Sequence, residues 1–206
     1  MRIFAVSQVL SVARELVKLS LQGDESDPLT HFRLQKLLYY AQAWSLVLRE
    51  TELFPEEICA WKNGPVVEEV YRKLPDGGCA AYVPEDAFDS APDPEPEDAL
   101  FLKHFWEAYS AYSASQLYRM THSEMPWQKT WEGQPNGNAP IPVEDIEDYF
   151  SRQTVPAPLA AYCHDLRRRE EEAEMKLREI PPIDVGRFKV AATSFTPAAL
   201  KKAAGG

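Results

Sequence analysis

Residues 121–127 of this chain read Thr-His-Ser-Glu-Met-Pro-Trp, and the two side chains there that could do chemistry are His122 and Glu124. An imidazole and a carboxylate are the usual acid and base near neutral pH, so the pair invites reading the chain as a small hydrolase. A second Thr-His pair stands at Thr30-His31, and Cys59 offers a thiol. No local context activates Cys59, however, and no glycine-rich nucleophile turn is present. A structural account competes with catalysis. Thr121 and Ser123 would satisfy a helix end, residues 124–127 would make a defined turn, and Trp127 and Trp131, four apart, would pack on the core. We read the segment first as structural, next as a partner contact and last as catalytic.

His31, His104, His122 and His164 never fall close to one another or to a cysteine, and the adjacent Cys163 and His164 diverge on a helix, so no metal site is expected. Gly77-Gly78 lacks the Lys and helix start that follow in a phosphate loop, and no cofactor is expected. The strongest candidate for a functional surface is instead Trp61-Lys62-Asn63-Gly64-Pro65. Turns are where a rigid scaffold presents binding groups, and Trp is enriched where interfaces concentrate their energy. The competing account puts Trp61 in the core and leaves Gly64-Pro65 only to shape the turn. Together with His122, Glu124 and Trp127, these five residues form the candidate partner-binding set.

The net charge of −10 is concentrated. Between residues 75 and 98 lie Asp76, Glu85, Asp86, Asp89, Asp93, Glu95, Glu97 and Asp98, with no Lys or Arg. No basic stripe is available for phosphate contacts, so direct nucleic-acid binding is not expected. A basic partner surface or plain solubility fits the acidity better. No apolar run approaches the roughly 20 residues a bilayer needs. The first residues carry apolar side chains at helical spacing rather than an uninterrupted secretory segment. Cys59, Cys79 and Cys163 are too few and too scattered for a disulfide framework. A cytoplasmic location is therefore expected. With 45% hydrophobic residues the chain can bury a sizeable core.

The elements that must position these residues are mainly helical. Apolar residues recur at helical spacing over residues 4–21. Thr30 makes an N-cap for a helix with Leu34, Leu37, Leu38 and Ala41 on one face and Tyr39, Tyr40, Ala43 and Trp44 on others. A helix apolar around its whole circumference is a buried central one. Residues 57–61 have strand character, and Gly64-Pro65 would start the next helix, with Glu68 and Glu69 in its first turn. The Pro-rich acidic stretch 84–97 reads as a surface loop. Further helices are expected over 97–112, over 114–121 behind a Ser113–Gln116 capping box, and over 143–151. Residues 133–140 read as a loop. After Pro158, the run Arg167 to Glu179 holds five bases and five acids, with pairs such as Arg167–Glu171 at helical spacing. This predicts a long, exposed, charged helix closed by Pro181-Pro182 and followed by a flexible tail. The fold expected is a mainly α, compact multi-helix domain with one short β element near residues 58–61. Its parts would be a domain over 1–157, the charged helix over 158–180 and the tail over 181–206.

The ordered set formed by residues 29–44, LTHFRLQKLLYYAQAW, residues 60–71, AWKNGPVVEEVY, and residues 115–127, SQLYRMTHSEMPW, resembles the Panacea, or SocA-like, antitoxin family. Family members also occur as phage- and genetic-element-associated bacterial proteins. The resemblance extends over roughly residues 6–150. It departs from the family pattern at His31-Phe32-Arg33, where a small or Pro residue followed by Lys is more usual, and in the region after 157. It implies a non-enzymatic antitoxin that neutralises a cognate toxin by direct protein–protein binding, the toxin being encoded next to it. A second mode implied by the resemblance is a proteolytic adaptor that delivers the toxin to an ATP-dependent protease. On either reading the acidic stretch 75–98 would steer a basic toxin surface, and the helix and tail after residue 158 would contact the toxin or the protease.

Overall fold

The computed structural model describes residues 7–22, 29–74, 81–135 and 137–179. The expectations for residues 4–6, for Asp76, Gly77-Gly78 and Cys79, for Pro181-Pro182 and for the tail lie outside the described residues. The chain divides into two compact units, Met1–Arg167 and Arg168–Gly206. The fold is mainly helical with a small three-stranded sheet: α1 (Val9–Leu21), α2 (His31–Arg49), β1 (Ile58–Trp61), β2 (Gly64–Val67), α3 (Glu68–Lys73), α4 (Pro96–Tyr109), α5 (Ala114–Ser123), α6 (Met125–Gly133), β3 (Ala139–Pro140), α7 (Val143–Phe150) and α8 (Ala157–Glu179).

α2 is the axis of the first unit. Its Thr30 cap accepts from Arg33 N at 3.2 Å, satisfying one of the orphan donors of the first turn. Sixteen of its nineteen residues are buried, so neighbours must surround it on every side. Many of its polar residues are as buried as its apolar ones, and several hold a group of another segment. Arg33 donates to Ser110 O at 2.5 Å, at the C-terminal end of α4. Gln42 receives Leu53 N at 2.9 Å and Phe54 N at 3.2 Å, and donates to Phe54 O at 3.1 Å. Arg49 meets Asp98 in the first turn of α4 at 2.5 Å, and Ser7 Oγ donates to the other oxygen of the same carboxylate. Buried polar groups are tolerated where they are paired, and here the pairing makes α2 a frame to which loops and strands are fixed.

The sheet has order β2-β1-β3, with both pairings antiparallel. The helix start expected at Gly64-Pro65 is corrected: these residues are strand, in register with Trp61 and Ala60. Pro65 is tolerated because β2 is an edge strand, where a missing N–H breaks no ladder bond. The edge is closed by a side chain instead of a further strand. Gln35 Oε1 accepts from Val67 N at 2.8 Å and its amide faces Val67 O at 3.4 Å, as a strand neighbour would. Helix α3 starts only at Glu68, keeping Glu68 and Glu69 in its first turn.

The capping box at Ser113 and Gln116 is present in full. Residues 124–127 do not make a plain turn. Glu124 is a one-residue joint, and Pro126 lies in the first turn of α6, where its missing N–H leaves no helical bond unmade. The loop expected over 133–140 contains β3, which pairs with Cys59 and Ala60. The stretch over 84–97 is turn-rich, yet Phe88 and Ala91 are buried. Asp93 pairs with Arg14 at 3.0 Å and Lys18 at 2.7 Å, and those cations hold its carboxyl below the usual range. At its start α8 is core rather than exposed, because Leu159 and Tyr162 are fully buried and Tyr162 packs edge-on to Phe101 at 5.4 Å. In the second unit, described residues 168–179 are helical.

Candidate partner-binding site

The two motifs singled out in the sequence are brought together by two hydrogen-bonding contacts to consecutive carbonyls of the β1–β2 turn. Trp127 Nε1 donates to Trp61 O at 3.0 Å, and His122 Nε2 lies 3.2 Å from Lys62 O. The other ring nitrogen of His122, Nδ1, lies 2.8 Å from Tyr118 O. The imidazole is sandwiched between Tyr118 and Trp127, with ring centroids 3.8 Å and 4.0 Å away. Trp131 then stacks on Trp127 at 5.8 Å, nearly parallel. His122 thus serves to rivet α5 to the turn. Thr121 and Ser123 donate to Tyr118 O and Met120 O, closing the end of α5 on its own side chains.

Glu124 points the other way. It is 6% exposed, and Tyr40 donates to its Oε1 at 2.7 Å. Burial raises its carboxyl to about 7, against the lowering effect of the tyrosine hydrogen bond. Burial, with the nearby carboxylate of Glu124, pushes the Tyr40 phenol far above its ordinary value. No hydrogen bond joins His122 and Glu124, so they do not form the acid–base pair their spacing invites. Cys59 is buried in β1, and burial followed by the charges of Glu68 and Glu57 pushes its thiol up, opposite to what a nucleophile needs.

The turn itself is set from beneath. Lys36, fully buried, donates from Nζ to Pro65 O at 2.9 Å and stands 4.7 Å from the centre of the Phe32 ring. Gly64 has φ +98°, in the left-handed region that favours glycine. Lys62 and Asn63 are exposed at the tip, while Gly64 and Pro65 are buried. Trp61 is half-buried, packs edge-on to Tyr71 at 4.9 Å and donates from its indole to Asn138. Phe32, Tyr71 and Tyr118 extend the aromatic surface around the turn. None of the three was in the candidate set read from the sequence, although Tyr118 stands one helical turn before His122 and so shares its face.

Among the described residues, no three His, Cys, Asp or Glu are grouped to hold a metal, and no helix is long and apolar enough to cross a membrane. The chain matches no curated protein and no solved structure. Residues 34–128 match the family model described as Antitoxin SocA-like, Panacea domain. The matched span runs from the first turns of α2 to the residue after Trp127, and every candidate residue from Trp61 to Trp127 falls inside it. Residues 34–128 are therefore the part of the chain that is similar to the Panacea domain of the SocA-like antitoxin family.

Proposed function

We propose that this protein is a cytoplasmic antitoxin that neutralises a cognate toxin protein by direct binding, without turnover, cofactor, nucleic acid or membrane. The observation that carries the reading is the construction of the Trp61–Pro65 turn inside the part similar to the Panacea domain. Exposed Lys62 and Asn63 project from a turn that is held by Lys36, His122 and Trp127. A rigidly held turn with aromatic neighbours loses little conformational freedom on binding, which favours affinity. The inward turn of Glu124 and the packing of His122 support a positioning role for both rather than catalysis. His122→Ala tests this: loss of an activity with fold and toxin binding kept would overturn the non-enzymatic reading.

The organisation in parts belongs to the same proposal, with residues 1–157 and the buried opening turns of α8 as the binding platform and the charged run and tail that follow as an appendage. A second reading, delivery of the toxin to an ATP-dependent protease, is supported by the charged run 167–179 and the basic-ended tail, both outside the matched span. The experiment is co-expression with the neighbouring gene product in cells with and without their ATP-dependent proteases, following toxin levels after synthesis stops. Rescue with a stable complex and persistent toxin supports blocking. Rescue with protease-dependent toxin loss supports the adaptor mode. No toxicity and no complex would overturn both.

A further inference from the structure

In a chain of net charge −10, the cavity beside the Trp61–Pro65 turn has His31, Lys36 and Lys62 in its lining and no Asp or Glu. Its apolar walls come from Phe32, Trp61 and Tyr71. Its volume is about 130 Å³. That is well below the roughly 300 Å³ at which cofactor and drug-sized sites begin, and near the ~150 Å³ cavity that holds a benzene molecule. The space suits one ring-sized or branched apolar group.

The charges around it are arranged for an anion at the mouth. Lys62 is exposed at the turn tip and makes no ion pair among the described residues. Lys36 lies deeper, fixed against Pro65 O and the Phe32 ring. The acids that dominate the chain's charge are partly engaged elsewhere, Asp93 with Arg14 and Lys18 and Asp98 with Arg49. An apolar anchor flanked by a carboxylate would match both the walls and the rim, whereas a lysine beside the anchor would meet Lys62 as a like charge.

We infer that this pocket takes one large apolar side chain, presented next to an Asp or Glu, from the segment of a partner protein that docks on the turn. The identity of that partner as a toxin rests on the antitoxin reading; the chemistry of the docking segment does not.

The probe is a blocked peptide, Gly-Ser-Phe-Asp-Ser-Gly, titrated into the full-length isotopically labelled protein while the Trp61 indole signal is followed by NMR. Two control peptides replace Asp by Lys or Phe by Ala. The expected result is a saturable shift at Trp61 with the Phe-Asp peptide and binding about tenfold weaker for either control. Lys62→Glu, an exposed substitution that keeps the melting temperature, should reverse the preference between the Asp and Lys peptides. Equal binding of those two peptides, or no saturable shift at Trp61, overturns the proposal whatever the toxin does. Peptide selectivity without any toxin complex supports the pocket while counting against the antitoxin reading.

Discussion

Lys36 fills the space that a side chain on Gly64 would need: a Cβ built there would stand 2.8 Å from Lys36 Nζ, 2.9 Å from its Cε and 3.1 Å from Thr121 Oγ1. The glycine is required twice over, by its φ of +98° and by the buried ammonium beneath it. Gly64→Ala should therefore destabilise the protein by about 2 kcal/mol, read by urea unfolding, and should weaken partner binding by displacing the turn. A variant with wild-type stability would show that neither constraint matters.

Glu124 makes stability depend on pH. Its folded value of about 7 lies above the ordinary 4.5, so between those values the folded state keeps a proton that the unfolded state has released. The folded state is then favoured at low pH, and stability falls as pH rises from about 4.5 through about 7. The full effect is about 3 kcal/mol. Glu124→Gln keeps an acceptor for Tyr40 and removes the charge. Its denaturation midpoint should change less than the wild type's between pH 5 and pH 8, roughly the interval over which the carboxyl ionises. Parallel pH profiles for the two proteins would show that Glu124 is not the titrating group.

Arg49 and Asp98 are each only 1% exposed and lie 2.5 Å apart. Asp98→Asn takes away the carboxylate that faces the buried Arg49 guanidinium, so it should cost about 3 kcal/mol. Adding Arg49→Met should recover much of that loss in a double-mutant cycle. Additive losses would mean that the two side chains act independently.

Trp127→Phe keeps a ring between His122 and Trp131 but removes the donor to Trp61 O. We expect a loss of about 1 kcal/mol in stability together with weaker toxin binding. Lys62→Ala at the exposed tip should weaken binding with no change in stability. Comparing the two by calorimetry separates setting the turn from touching the partner.

What the sequence made legible was local. The Thr30 cap, the Ser113–Gln116 box and the all-round apolar pattern of α2 involve residues within a few positions of one another. The misreadings turned on distant partners. Gly64-Pro65-Val66-Val67 carries a good helix-start signal, and only pairing with residues 58–61 and the Gln35 side chain makes it strand. The buried bonds of Lys36 and Arg33 could not be read locally, because their acceptors, Pro65 and Ser110, lie far along the chain. Of the candidate residues, Trp61 and Trp127 could be named from type and spacing, but not the hydrogen bond that joins them. The inward turn of Glu124 depends on Tyr40, 84 positions away. The start of α6 was within reach, since proline in a first helical turn is a recognised signal.

The ring cluster at Phe150 sets the size of piece that can be moved with its packing intact. Tyr39, Tyr40 and Trp44 of α2 each meet Phe150 edge-on, with centroids 5.5–5.9 Å apart. Phe150, like Leu159 and Tyr162, lies beyond residue 128, where the family match ends. A graft cut at that match would move the Trp61–Pro65 turn but strip the α2 tyrosines and Trp44 of the ring they pack against. A graft that keeps this packing has to carry α7 and the opening turns of α8 along with the turn. The packed unit is therefore longer than the segment that matches the family model.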